Sequence, residues 1–220
     1  MTPMDPRFGQ LWVASMLATF DREAAGLGEL DRRAGDGDFG TNLASAFRRV
    51  RSEAERNQPT TYPEWLTAVS RGFLGTGGTS GPLFGMFFRE LARCTTEQAP
   101  TPAQLANGLT NGLATIQRYG KAQVGHKTMV DALAPAAAAM TEAVKNGDKD
   151  PLTAAAQAAA QGARSTTAIT ARRGRATYVG EAARGVIDPG AVAMALIIQS
   201  ARNAAAGSTD AADTAWIGQA

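Results

Sequence analysis

Apolar residues recur at helical spacing in successive segments of this 220-residue chain. In one segment Leu43, Phe47 and Val50 fall at i, i+4 and i+7, with arginines between them, which is the pattern of an amphipathic helix. The same spacing returns in Leu66, Val69 and Phe73; in Leu105, Leu109, Leu113 and Ile116; and in Val130, Leu133, Ala137, Met140 and Val144. The chain also has 45 Ala but only nine Val and six Ile, a balance that favours helices over strands. We therefore predict an all-α fold and argue against a β-sandwich, a β-barrel or a doubly wound sheet.

Three helix starts are located by a capping side chain placed directly before a proline: Thr101-Pro102, Asp150-Pro151 and Asp188-Pro189. The second of these helices is predicted to run toward Ala171 and the third to about Ala206. Residues 192–198 of the last helix are all apolar, so this helix is expected to be deeply buried. Pro135 lies inside the last of the four apolar stripes and is expected to bend that helix.

About eight helices joined by short turns predict a single domain over residues 1–206, arranged as an up-and-down helical bundle. The tail over residues 207–220 is small and polar except for Trp216 and Ile217. It is therefore either loose or docked through Trp216.

Charge and rare residue types argue against several classes of function. The net charge is +2, from 22 basic and 20 acidic residues, which argues against nucleic acid or an anionic membrane as partner. Cys94 and His126 are the only residues of their types, so an internal disulfide, a cysteine zinc site and a histidine metal cluster are excluded. No apolar run approaches the roughly 18 residues of a membrane span, and we expect a soluble cytoplasmic protein.

Three carboxylates, Asp31, Asp36 and Asp38, lie close together beside Gly35 and Gly37. If Asp31 ends a short helix and the glycines allow a tight turn, the three side chains can converge. Converged carboxylates repel by about 4 kcal/mol per pair at ~4 Å and an effective dielectric constant of ~20. A hard divalent cation removes that cost, and because the spacing is wrong for an EF-hand, Mg²⁺ with a phosphate is the better match. A solvated turn is the alternative.

Backbone N–H groups suited to a phosphate occur in two places. Thr41 and Asn42 open a helix directly after the acidic turn, and a helix N-terminus attracts anions. Residues 75–82 (GTGGTSGP) form a Gly-rich segment whose amides can wrap an anion. This segment is not a P-loop, because no lysine follows the glycines, and a flexible connector is the alternative.

Residues 120–129 and 171–178 place basic and hydroxyl groups beside glycine between helices. The arginines of the second segment are typical of a solvated face. His126 in the first segment is either a general base or, more simply, a surface histidine.

Four sequence blocks in order resemble the L subunit of dihydroxyacetone kinase, the nucleotide-binding half of that two-part enzyme. The blocks are residues 35–42 (GDGDFGTN), 77–85 (GGTSGPLFG), 127–133 (KTMVDAL), and 174–181 (GRATYVGE) with 187–190 (IDPG). Each block alone is weak evidence, but four in order over roughly residues 30–198 are specific. The chain length is also that of the free-standing subunit.

The resemblance implies an antiparallel barrel of about eight amphipathic helices with ADP or ATP at one end. It implies that Asp31, Asp36 and Asp38 hold two Mg²⁺ ions that bridge the nucleotide phosphates. It further places a set of residues against the phosphates, the metal or the nucleotide: Phe39, Gly40, Thr41, Asn42, Thr79, Ser80, Gly120, Met129, Arg175, Asp188, Pro189 and Gly190.

Two positions depart from the family pattern. Phe39 stands where the family often has histidine, and His126 stands where it often has aspartate. Phe39 cannot hydrogen-bond a phosphate, so any polar role of its side chain is lost. The metal site depends on neither residue.

Phosphoryl transfer depends on positioning and charge neutralisation more than on a protein nucleophile, and the sequence identifies no catalytic side chain. The resemblance implies that a histidine of a separate K subunit holds the ketose. This chain is then the nucleotide-carrying phosphotransferase subunit of a small-ketose kinase. In the family either ADP stays bound as a coenzyme recharged by a phosphotransferase-system protein, which we favour, or ATP exchanges freely.

Three alternatives stay open at this point. The first is a kinase subunit for another short ketose such as erythrulose. The second is a fatty-acid-kinase-like domain, although this chain lacks the long C-terminal extension of that group. The third is a nucleotide-binding subunit that contacts a transcription regulator.

Overall fold

The computed structural model describes residues 2–174, 177 and 180–219, and eight α-helices make up most of that part of the chain. They are α1 (Phe8–Ala34), α2 (Phe39–Asn57), α3 (Tyr62–Leu74), α4 (Ser80–Ala92), α5 (Pro102–Gly120), α6 (Met129–Lys145), α7 (Pro151–Ser165) and α8 (Pro189–Ala205). Short 3₁₀ turns lie at Thr166–Ala168, Gly180–Ala183 and Ile217–Gln219. The described residues contain no strand, so the all-α prediction with about eight helices is confirmed.

The three predicted helix starts are confirmed by their caps. Thr101 caps α5 in a capping box with Gln104, while Asp150 caps α7 and Asp188 caps α8. Each of these helices opens with a proline, which suits a first helical position because the N–H there has no partner within the helix.

α7 ends at Ser165, so the prediction that it runs toward Ala171 was wrong. Ser165, Thr166 and Thr167 each donate a side-chain hydroxyl bond to the carbonyl three residues earlier, at 2.6–2.8 Å. Such bonds compete with the backbone bonds that would continue a helix. The chain therefore tightens into the 3₁₀ turn despite the high alanine content of the segment.

Pro135 lies inside α6, which continues past it to Lys145. The proline ring removes the N–H that would bond the carbonyl of Asp131. Gly162 of α7 packs at this point, where an added β-carbon would lie 2.8 Å from the Pro135 ring and closer still to the Asp131 carbonyl. The glycine therefore lets α7 approach α6 closely at this proline.

The helices form a closed ring, because each packs against the next one along the chain and α8 packs against α1. Six of the seven connections have nine residues or fewer, so the helices that they join run antiparallel. The α7–α8 connection spans residues 166–188, but the Asp188 N–H donates to Thr166 Oγ1, so α8 begins beside the end of α7. Residues 192–198 of α8 are fully buried, as predicted, and α8 contacts α1, α6 and α7. Within residues 2–174, 177 and 180–219, no helix has both the length and the apolar character needed to cross a membrane.

The tail after α8 folds back along α1. Ser15 Oγ donates to the carbonyl of Asp210 at 2.6 Å, and the N–H of Ala212 donates to Thr19 Oγ1 at 2.8 Å. Trp216 is buried. Of the two alternatives for this segment, the described residues therefore correspond to the docked one.

α1 and α2 cross in close contact at Gly28 and Gly40. A β-carbon on Gly40 would lie 2.8 Å from the backbone of Gly28 and closer still to the carbonyl oxygen of Ala24. Backbone atoms cannot give way as the tip of a side chain can, so glycine is required here. This crossing fixes the start of α2 against the last turns of α1, on either side of the acidic turn at residues 35–38.

We expect Gly40→Ala to lower the free energy of unfolding by about 1–3 kcal/mol or more, because the methyl group meets backbone. Gly26→Ala is the matched control: it lies in α1 with open space around the new β-carbon, and it should raise stability by up to about 1 kcal/mol. Urea unfolding of both variants measures the difference. Equal stabilities would contradict the close crossing.

Candidate functional site

A cavity lies at the end of the ring where the even-numbered helices begin and the odd-numbered helices end. Its wall includes the last turn of α1, the C-terminal end of α5, and the first residues of α2, α4, α6 and α8. The closed antiparallel ring explains this arrangement, because alternate helices must start at the same end. Residues that are far apart in the chain therefore meet around one space.

Twelve of the fifteen residues predicted for the metal or nucleotide line this cavity: Asp31, Asp36, Asp38, Phe39, Asn42, Thr79, Ser80, Gly120, Met129, Asp188, Pro189 and Gly190. Gly40 and Thr41 are not among the lining residues. Gly40 is buried in the crossing with α1, and Thr41 is exposed. Arg175, the remaining predicted residue that does not appear in the cavity lining, lies outside the described residues.

The acidic turn forms one wall. Asp31 lies in the last turn of α1, a helix of 27 residues rather than the short helix predicted. Its Oδ2 accepts the Phe39 N–H at 2.9 Å, which ties the end of α1 to the start of α2. Between them Gly37 adopts φ +81°, and this tight turn brings the exposed carboxylates of Asp36 and Asp38 to the same cavity as Asp31.

The donor set of this wall fits a hard divalent cation. Carboxylates and the nearby hydroxyl groups of Thr79 and Ser80 supply oxygen atoms only, which Mg²⁺ prefers. In the described part of the chain no three acidic, histidine or cysteine side chains are already gathered as a metal cluster. Bringing the three carboxylates together costs electrostatic energy, of about 4 kcal/mol per pair at ~4 Å, which a bound cation offsets.

The four helix N-termini at the cavity fall into two classes. α6 and α8 are capped by the side chains of Thr128 and Asp188. For α2 and α4, as far as the chain is described, the N-cap residues Asp38 and Thr79 make no side-chain cap bond. One amide of α2, that of Phe39, is already bonded to Asp31. Uncapped N-termini present backbone N–H groups and the positive end of the helix dipole, a combination that binds phosphate. The uncapped pair is also the pair beside the acidic turn.

A buried acid, Asp188, and a buried base, Lys127, also line the cavity. Asp188 is 8% exposed, and its Oδ2 accepts the Ala191 N–H at 2.7 Å. Burial raises the pKa of Asp188 to about 7, although the Ala191 N–H and the Lys127 ammonium act in the other direction. Burial lowers the pKa of Lys127, and the carboxylates of Asp188 and Asp131 oppose that change.

Sequence reasoning missed Lys127 and Arg173 as cavity residues, together with the apolar side chains of Leu83, Ile116 and Ala122. There was a weak indication for Lys127 in the sequence, because this residue opens one of the four family-like blocks and directly precedes Thr128, the cap of α6. The apolar residues gave none, since they belong to ordinary helical stripes.

The two departures from the family pattern have different surroundings. The Phe39 ring lies 6.5 Å from the Phe84 ring, centroid to centroid, so it packs on the core and makes its part of the cavity wall apolar. His126 is half-buried and does not line the cavity. Its Nδ1 accepts the Gln123 N–H at 3.2 Å within its own loop, which gives it a structural contact.

Residues 33–203 match the model of the DAK2 domain. The ADP-binding subunit DhaL of PEP-dependent dihydroxyacetone kinase 2 from Listeria innocua is 35% identical over 193 residues, which cover 85% of this chain and 89% of that protein. The L-erythrulose 1-kinase of Mycolicibacterium smegmatis is 34% identical over 198 residues, 86% of this chain but 34% of the relative.

The fold is also similar to that of a solved structure. The dihydroxyacetone kinase from C. freundii, crystallised in complex with AMP-PNP and Mg²⁺, matches with a TM-score of 0.68 and 29% sequence identity. The match covers 91% of this chain and 34% of the C. freundii chain. This chain therefore spans most of a free-standing subunit and about a third of the longer kinases.

We expect Asp188 to make stability depend on pH. Its pKa in the folded protein, about 7, lies above the ordinary value of 3.8, so its contribution to stability is fully present below pH ~4 and is lost as pH rises through ~7. The difference in unfolding free energy between wild type and Asp188→Asn should fall by up to about 1.4 kcal/mol per pH unit in that window. Urea unfolding between pH 4 and 8, without nucleotide or Mg²⁺, measures it.

Asp150→Asn is the matched control, because Asp150 is also an Asp-Pro cap but is exposed. The difference in unfolding free energy between wild type and Asp150→Asn should change little between pH ~4 and ~8. A flat profile for Asp188→Asn would show that Asp188 is ionised normally in the folded protein.

Proposed function

This chain belongs to the DAK2 domain family, and on that premise we propose that it is the nucleotide-binding phosphotransferase subunit of a dihydroxyacetone kinase. It is a kinase subunit that transfers a phosphoryl group from its bound nucleotide to a small ketose. The observation that carries the proposal is the cavity, where an acidic turn and two uncapped helix N-termini face the same space. The similarity to a kinase crystallised with AMP-PNP and Mg²⁺ supports it.

The cavity has two kinds of lining residue that suit the two parts of a nucleotide. The N-termini of α2 and α4, with Thr79 and Ser80, suit phosphates because they offer N–H and hydroxyl groups. The same cavity carries the apolar side chains of Leu83, Ile116 and Met129, which suit a nucleobase. We propose this orientation for ADP or ATP, with Gly120 and the turn of residues 188–190 lining the same cavity.

Asp31, Asp36 and Asp38 would hold Mg²⁺, and we propose two ions. Bound Mg²⁺ neutralises phosphate charge and so supports phosphoryl transfer. The contribution of the chain itself is orientation: Asp31 Oδ2 holds the Phe39 N–H, so the carboxylate and the start of α2 stay in fixed relation. The negative charge of the turn also keeps phosphate away from this wall unless a cation is present.

The ketose is proposed to arrive on a separate K-type subunit. The subunit names among the relatives imply a kinase of more than one chain. Within the described residues, the large apolar side chains left exposed are Leu74, Tyr119 and Val124. Tyr119 and Val124 flank the cavity-lining Gly120 and Ala122, and exposed apolar residues beside a cavity support docking of a partner there.

Two modes of phosphoryl supply are compatible with this site. We propose that ADP stays bound as a coenzyme and is recharged by a phosphotransferase-system protein, as the PEP-dependent relative suggests. Free exchange of ATP is the second mode. Erythrulose is the second candidate substrate, because the M. smegmatis relative acts on it and is nearly as similar.

Replacing Asp36 with Asn should weaken Mg²⁺-dependent ADP binding by at least about tenfold, the effect of losing even an outer partner of a metal site. The measurement is ADP affinity by calorimetry with and without Mg²⁺. Asp148→Asn is the control, because Asp148 is exposed in the turn between α6 and α7, at the other end of the ring. If Asp36→Asn binds Mg·ADP as wild type does, the metal assignment is wrong.

Protein purified by gel filtration and then denatured should release ADP in about equimolar amount if ADP is a coenzyme. The same preparation, combined with candidate K-type subunits and a panel of short ketoses, should show activity with a phosphotransferase-system donor. Activity with ATP alone and no retained ADP would favour free exchange. The ketose turned over fastest decides between dihydroxyacetone and erythrulose.

A further inference from the structure

Lys127 combines two unfavourable features in the wall of the cavity. Only 1% of the residue is exposed, and its backbone has φ 60°, a left-handed conformation that residues other than glycine seldom adopt. Burying an ammonium group is costly unless hydrogen bonds and opposite charges compensate. A residue that is both buried with a charge and held at positive φ is energetically unfavourable, which indicates that its ammonium group makes specific contacts that compensate.

The Lys127 ammonium bridges the two ends of the connection between α7 and α8. Nζ donates to the carbonyl of Thr166 at 2.6 Å and to the carbonyl of Val186 at 2.5 Å. Thr166 directly follows α7, and Val186 lies just before Asp188, the cap of α8. The Asp188 N–H donates to Thr166 Oγ1 at 2.9 Å, which closes the same junction a second time.

The connection closed by this junction carries cavity-lining residues on both arms. Arg173 and Gly174 line the cavity on the arm that leaves α7, and Asp188 on the arm that enters α8. The loop that carries Lys127 is bonded to the outgoing arm as well, because the Arg172 N–H donates to the His126 carbonyl at 3.1 Å. The connection is therefore held against the loop before α6.

The loop of Lys127 is itself held in place by a buried carboxylate. Asp131 accepts the Gly125 N–H at 2.5 Å and the Thr128 N–H at 2.7 Å, and only 3% of Asp131 is exposed. The negative charges of Asp131 and Asp188 also favour the charged form of Lys127 against its burial. In its charged form Lys127 can donate to both carbonyls, those of Thr166 and Val186.

We propose that Lys127 is a positioning residue, which holds the two ends of the α7–α8 connection, at Thr166 and Val186, against the start of α6 and so pre-forms this part of the cavity wall. The inference rests on the proposed function. An uncharged side chain would leave the carbonyls of Thr166 and Val186 without their donor. Nucleotide binding would then have to restore the positions of these two ends, and the free energy needed for that would lower the affinity.

The test compares Lys127→Met with Lys121→Met. Lys121 is the matched control, because it lies at the same end of the ring and also has positive φ, 52°, but is exposed. For Mg·ADP, calorimetry well below the melting temperature should show affinity weakened about tenfold or more in Lys127→Met and changed less than about threefold in Lys121→Met. Lys127→Arg should recover part of the loss, because a guanidinium can donate to both carbonyls.

Hydrogen exchange gives a readout that does not depend on the nucleotide. The Gly185 N–H donates to Thr167 O at 2.9 Å and the Asp188 N–H to Thr166, so both amides should exchange faster in folded Lys127→Met. Unchanged exchange together with unchanged affinity would overturn the proposal. Loss of stability with affinity within about threefold of wild type would also overturn it, because Lys127 would then serve only the fold.

A second variant decides the matter if Lys127→Met does not fold. Thr166→Val removes the acceptor of the Asp188 N–H but leaves the buried charges in place, and it should weaken Mg·ADP binding several-fold. Wild-type affinity in that variant would overturn the proposal. Failure of the wild-type protein to bind Mg·ADP would instead contradict the proposed function, and exchange at Gly185 and Asp188 would still report on Lys127.

Discussion

The alternating direction of eight helices in a closed ring is the constraint on which the site depends. Because α8 packs against α1 and neighbours are antiparallel, every even-numbered helix begins at one end. The positive ends of four helix dipoles therefore surround one cavity. Asp31 and the acidic turn bring negative charge to the same place. A ligand that combines a cation with phosphates complements both kinds of charge, whereas either component alone would meet repulsion from one of them.

Close approach between helices makes this ring possible, and small residues allow it. Gly28 meets Gly40 where α1 crosses α2, and Gly162 meets the proline turn of α6. α7 buries a face made largely of alanine, including Ala155, Ala159 and Ala163. Alanine favours helical structure and glycine is tolerated in it, and both allow the backbones of neighbouring helices to pack closely. Gly40 illustrates the difference, because its place in the site comes from packing and not from lining the cavity.

Local signals predicted much of the fold. The Asp-Pro and Thr-Pro pairs located the starts of α5, α7 and α8, because a capping side chain acts within a few residues of itself. The end of α7 was missed, since three consecutive hydroxyl groups redirected the backbone. The acidic turn was recognised from its spacing, but the long helix that presents Asp31 was not. Lys127 was overlooked as a cavity residue because its partners are carbonyls from two distant segments, which no local pattern marks.

The sequence by itself determined the helical class, the tight turn that places Asp36 and Asp38 in the same cavity wall as Asp31, and the chemistry that those oxygen atoms can support. These properties depend on residue type and on short-range geometry, which spacing reveals. Only the tertiary structure decided which helix ends share a cavity, which N-termini lack side-chain caps, and where a buried lysine finds its acceptors. Those properties arise when the ring closes, because burial and long-range hydrogen bonds join groups whose separation along the chain carries no information about their distance in space.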